Sequence, residues 1–92
     1  MSNPVIELLV RNHPGVMSHI TGLFSRRAFN LEGILCGTVG DGARSRMFLL
    51  VNEDRRLQQL LKELGKLHDV HSVALRHDVN ERIFNPLKAG ES

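Results

Sequence analysis

Asn12, Pro14 and Gly15, within Val10-Arg-Asn-His-Pro-Gly-Val-Met17, are the residues of this chain best suited to chemistry. That chemistry is anion binding. Pro14 fixes its own φ, and Gly15 can reach backbone angles that a Cβ forbids, so the pair suits a tight turn from a strand into a helix. The first N–H groups of such a helix lack partners and point, with the positive end of the helix dipole, at whatever lies above them. A carboxylate or a phosphate fits there. Asn12 precedes the turn with an amide that both donates and accepts, which suits a zwitterion's carboxylate and ammonium. A local cap on the turn is its other role. Asn30 follows the helix, where a turn role and a ligand role both fit.

Other groups suggest less. Five histidines invite a metal reading, but His13 and His19 do not share a helix face and His68-x-x-His71 straddles a helix end. No Cys or carboxylate completes a site at ligand spacing, so solvated surface histidines are expected. Cys36 lies mid-strand with no histidine at a recognisable spacing, and is expected to be a small core or interface residue rather than a nucleophile. Glu32 stands isolated on its strand. Arg26-Arg27 and Arg44 with Arg46 are expected to be solvated or to face a partner. No catalytic constellation emerges, so the chain is not expected to be an enzyme.

The elements that carry these residues follow from hydrophobic spacing. Val5 to Arg11 is a strand with Ile6, Leu8 and Val10 on one face. Val16 to Ala28 is a helix with Val16, Met17, Ile20, Leu23, Phe24 and Arg27 on one stripe. Asn30 to Val39 is a second strand, Gly37 to Ala43 holds a hairpin loop, and Arg44 to Val51 is a third strand. Asn52 or Asp54 caps a second helix, whose buried stripe is Leu57, Leu60, Leu61, Leu64 and Leu67. Val70 to His77 is the fourth strand. The result is an α+β, ferredoxin-like βαββαβ unit: a four-stranded antiparallel sheet with two helices on one face. Residues 1–4 form an N-terminal tail, 5–77 the domain, and 78–92 a polar C-terminal tail whose apolar island, Ile83-Phe84, can dock locally.

Two helices cover one face of that sheet only. Leu9, Phe48 and Leu50 place apolar groups on the other, so a second chain, the tail or a partner protein is expected there. A homodimer is the simplest arrangement. The net charge of +2 and the absence of Trp and Tyr argue against nucleic acid, since a sheet that stacks bases needs several aromatics and Phe48 stands nearly alone. The longest apolar run, Met47 to Val51, is too short to span a bilayer, and the first residues lack the charged and apolar regions of a secretory signal. One cysteine fits a reducing, cytoplasmic setting.

Beyond the generic turn, Val-Arg-Asn-His-Pro-Gly-Val-Met at 10–17 and Gly-Leu-Phe-Ser-Arg-Arg-Ala-Phe-Asn-Leu-Glu-Gly-Ile at 22–34 resemble the small regulatory subunit of acetohydroxyacid synthase (acetolactate synthase). The resemblance runs over residues 5–77 and is greatest to the short, isozyme I-like type. It implies the ACT domain fold and a non-catalytic subunit in branched-chain amino-acid biosynthesis. It also implies a large subunit carrying thiamine diphosphate, magnesium and FAD, which the small subunit activates and makes sensitive to valine. Carried over residue by residue, the effector positions are Asn12, Gly15, Val16 and Met17, with Asn30 from the neighbouring chain and Leu31 and Ile34 as pocket walls. Leucine and isoleucine are alternative effectors. Ala28 and Gly33 depart from the Gly and Ser common in longer members. A free-standing ACT sensor acting on another enzyme or a transcription factor is the alternative.

Overall fold

Ile6, Leu8 and Val10 are fully buried, and their alternation is what seats the sheet on its helices. The computed structural model describes residues 3–78 and Phe84. Its elements are β1 (Val5–Arg11), α1 (Val16–Arg26), β2 (Leu31–Val39), β3 (Arg44–Val51), α2 (Leu57–Gly65) and β4 (Val70–Arg76). The strands lie in the order β2-β3-β1-β4, and every pairing is antiparallel. The helical face packs Ile6, Leu8, Val10, Met47, Leu49 and Val51 against Ile20, Leu23 and Phe24 of α1 and Leu57, Leu60 and Leu64 of α2. Leu61 and Leu67, expected on the α2 stripe, are partly buried at its margin.

Two irregularities decide which residues face the helices. The β2–β3 register shifts between Leu31 and Gly33, so Leu31 and Ile34, three apart, both pack on the core. The β1–β4 register passes from Leu9 opposite Ser72 to Val10 opposite Val70, and Val70 and Val73 reach the core in the same way. An extra residue in one strand reverses the alternation beyond it.

Helix α1 ends earlier than its periodicity suggests. Ala28 adopts φ +50, in the left-handed region. The Phe29 N–H then donates to the Phe24 C=O (2.9 Å), and the Ala28 N–H to that of Ser25 (3.1 Å). This closing pattern satisfies the last carbonyls of the helix and folds Phe29 against Phe24, ring centres 5.9 Å apart. Met17 and Arg27 therefore leave the expected stripe: Met17 is 38% exposed, and Arg27 binds Glu63 of α2 with its guanidinium. Arg56 covers the same helix end, donating to the Arg27 C=O (2.8 Å) and lying 5.2 Å from the Phe29 ring centre. Cations there offset the negative end of the helix dipole.

Other expectations change for local reasons. Neither Asn52 nor Asp54 caps the second helix, whose cap residue is Arg56 and has no side-chain partner; the Asp54 carboxylate instead accepts the Arg56 N–H (2.7 Å) in the turn that precedes it. Strand β2 runs through Gly37 to Val39, so the hairpin loop is confined to 40–43. Cys36 is exposed because β2 lies at the sheet edge, beyond the helices' cover, and so is not a core residue. Glu32 is not isolated; it accepts hydrogen bonds from Asn30 and from Asn52.

The second face of the sheet is not a uniform apolar surface. Val5 and Leu50 are buried there, outside the helical core. Phe84 lies over Gly33 so closely that a Cβ on Gly33 would stand 3.1–3.2 Å from its ring and Cβ. The expected docking of Ile83 falls outside the described residues. Further along, the Glu7 carboxylate binds Arg46 (3.1 Å) and Arg76 (2.6 Å), so Arg46 is paired rather than free. Arg76 also binds Asp78 and holds its carboxyl down at about 2. Leu35 remains 39% exposed at the β2 edge.

Candidate functional site

Gly15 has φ +93 and immediately precedes α1, so the turn depends on glycine for its backbone conformation. No side chain caps the helix, and its first turn holds no acidic residue. A Cβ placed on Gly15 would meet no heavy atom within 4 Å, so the space above the turn is open. The Val16 N–H is turned inward to the His13 C=O (3.3 Å), and the Gly15 C=O accepts the His19 N–H (3.0 Å). Among the described residues, no hydrogen bond uses the N–H of Met17 or Ser18. The Gly15 N–H is unused in the same way, so the donors available to an anion are Gly15, Met17 and Ser18, and of the expected run Gly15 to Met17 only Val16 drops out. Val16, expected to touch the effector, has its side chain in the core and its N–H bound to His13, so it shapes the turn without facing the ligand.

Asn12 is held to the β2–β3 hairpin. Its backbone N–H donates to the Ala43 C=O (3.0 Å), and its side-chain amide to the Gly42 C=O (2.7 Å). One of the two N–H donors of the amide is thereby engaged and its orientation fixed, and its oxygen is the group for an ammonium. Asn30 lies elsewhere. It precedes β2 and donates to Glu32, whereas Asn12 grips the loop just beyond the other end of that strand. Nine extended residues span roughly 30 Å, so one chain does not bring the two amides together. Leu31 and Ile34 stay on the Asn30 side, partly buried against the core.

Three residues that the sequence pattern did not join meet beneath the glycine turn. Asp69, 4% exposed, lies just ahead of β4, and its backbone C=O takes the Arg11 N–H at 2.8 Å. One of its carboxylate oxygens is 2.9 Å from His19 Nδ1, and the other is 2.7 Å from His13 Nε2. The His13 approach is short but poorly aligned, and so is an electrostatic contact rather than a linear hydrogen bond. The two rings meet edge to face at 6.3 Å. His19, more than burial opposes, and then His13 hold the Asp69 carboxyl below the usual carboxylate range. The expectation of solvated histidines holds for His19, whose side chain is 61% exposed, and fails for His13, which is partly buried at 27%. His13 and His19 flank the turn in sequence, but Asp69 comes from the far end of the chain and gave no local signal.

Residues 6–72 match the family described as the AHAS small subunit-like ACT domain. The acetolactate synthase isozyme 1 small subunit of Escherichia coli (strain K12) is 51% identical over 85 residues, which cover 92% of this chain and 88% of that protein. A probable acetolactate synthase small subunit of Archaeoglobus fulgidus is 40% identical over 70 residues, covering 75% of this chain but 44% of that longer protein. Among solved structures, the acetolactate synthase small subunit of Thermotoga maritima superposes with a TM-score of 0.75 at 32% identity, covering 88% of this chain and 51% of that one. The regulatory subunit of aspartate kinase from Thermus thermophilus, with a TM-score of 0.70 at 22% identity, shares the fold.

Proposed function

The chain belongs to the acetohydroxyacid (acetolactate) synthase small-subunit family of ACT domains, and from that premise we propose that it is the regulatory subunit that activates a catalytic large subunit and imposes feedback inhibition by valine. Thiamine diphosphate, magnesium, FAD and the carbon–carbon bond formation are assigned to that large subunit, in the cytoplasm. This chain binds the effector and transmits its presence.

The observation that carries the proposal is the open turn at Gly15, with the Gly15, Met17 and Ser18 N–H groups free among the described residues. A valine carboxylate would lie on those donors, and the Asn12 oxygen would face its ammonium. Asn30, Leu31 and Ile34 would come from a second copy. Strand β2 is a sheet edge. Two such edges paired antiparallel about a two-fold axis would set the start of one β2 beside the hairpin and glycine turn of the other. Effector bound across that seam favours one dimer arrangement, and inhibition follows if the large subunit distinguishes it from the free one.

The test is reconstitution with the matching large subunit. The chain alone, given thiamine diphosphate, should form no acetolactate; added to the large subunit, it should raise the rate and confer valine sensitivity. Gly15→Asp should abolish inhibition and keep activation. The new carboxylate would occupy the free N–H groups and repel that of valine. A variant folded by circular dichroism that keeps the wild-type valine curve would sink the site assignment.

A further inference from the structure

The His13–Asp69–His19 cluster holds the glycine turn from behind, and we propose that it is the positioning element of the effector site and makes effector affinity depend on pH. The inference rests on the Gly15 turn being the effector site. One nearly buried carboxylate touches the residue before Pro14-Gly15 and a residue in the first turn of α1. The same two residues are tied to the turn through the backbone: the His13 C=O takes the Val16 N–H, and the His19 N–H goes to the Gly15 C=O. A shift at Asp69 therefore moves both ends of the turn that offers its N–H groups to the ligand.

The charge of the cluster matters as much as its geometry. Histidine is the side chain whose charge changes nearest neutral pH, and the two imidazoles favour the ionised form of Asp69. With both imidazoles neutral, the cluster presents one negative charge behind a site built for a carboxylate. With one protonated it is neutral, and with both it is positive. Neighbouring charges come from every packed element. Arg26 of α1 and His68 of the α2–β4 connection line one cleft with His19. Arg11 of β1 donates its N–H to Asp69 and pairs in register with Arg44 of β3. His71 sits at the β4 irregularity, and Asp41 of the hairpin is tied to the Ala43 N–H. The arginines stay charged throughout, so the change of charge falls to the histidines.

The experiment is calorimetric titration of the purified full chain with valine between about pH 6 and 8.5, where valine stays a zwitterion. Wild type should bind about three- to tenfold more weakly at the upper end, the scale of one partly screened charge at this range. Asp69→Asn keeps an amide that donates to one neutral imidazole and accepts from the other, but carries no charge. It should raise affinity at high pH, an outcome that a purely structural role would not produce. His13→Gln with His19→Gln should flatten the profile, and His68→Gln, which does not touch Asp69, should leave it sloped. A flat wild-type profile, a double histidine variant that keeps the wild-type slope, or an Asp69→Asn variant that gains no affinity at high pH overturns the inference, while loss of binding in Gly15→Asp still upholds the site. Full valine binding by Gly15→Asp overturns the site and, with it, the inference.

Discussion

At the scale of single residues, the two amides of the candidate site are built differently, and their substitutions should separate. Asn12 donates to the Gly42 C=O and so holds the hairpin as well as facing the ligand. Asn12→Ala should weaken valine inhibition by about 1–3 kcal/mol, the range for a hydrogen bond to a charged group, and lower folding stability by about 1 kcal/mol for the lost hairpin contact. Asn30 is exposed and binds only Glu32 among the described side chains. Asn30→Ala should cost inhibition on the same scale, with folding stability unchanged to within about 0.5 kcal/mol. Inhibition curves on the reconstituted enzyme and urea unfolding of the free chain measure the two quantities independently. A stability loss in Asn30→Ala equal to that in Asn12→Ala would contradict this division.

At the scale of elements, the end of α1 carries a conformational cost. Ala28 holds the left-handed position that closes the helix, and its Cβ is strained there by about 1 kcal/mol. The Phe29 and Ala28 hydrogen bonds, the Phe24–Phe29 contact and the Arg56 cover outweigh it. Ala28→Gly should therefore stabilise the chain by about 0.5 kcal/mol, because the relief of strain exceeds the added freedom of the unfolded glycine. Thermal and urea midpoints read this directly, and a lowered midpoint would show that the position is not strained. The start of α1 was legible from local chemistry, because Pro14-Gly15 opens it, whereas α2 starts later than its expected cap, with Asp54 in the turn ahead of it. The exit of α1 was misjudged because Arg27 and Ala28 continue its helical periodicity, while the carbonyl closure that stops it depends on Phe29 packing inward.

At the scale of the whole molecule, Asn12 and Asn30 are separated by the length of β2, so the proposed site, which uses both, requires two copies. Light scattering at micromolar concentration should give twice the chain mass. A sharper test mixes Gly15→Asp with Asn30→Ala chains. Each parent dimer lacks an intact site, but the mixed dimer joins the sound turn of one chain to the sound Asn30 of the other. Valine binding should return to about one site per mixed dimer. A mixture that binds no better than its parents would mean that the two residues act within one chain.

What the sequence by itself determined is what a few neighbouring residues can encode. It determined the order of strands and helices, the glycine turn, the buried Leu57, Leu60 and Leu64 stripe, and the alternation that puts Ile6, Leu8 and Val10 in the core. Each of these depends on backbone preference or on a period of two or 3.6 residues. Tertiary structure alone decided where pairing partners meet. The register shifts that turn Leu31 and Ile34 to one face depend on the neighbouring strand. Phe84 over Gly33 and Glu7 between two arginines depend on contacts far apart in the chain. Asp69 reaches His13 and His19 only because β4 pairs with β1, which draws the residue just ahead of one strand up to the turn that follows the other. Such a meeting follows from the closure of the sheet and leaves no period in the sequence.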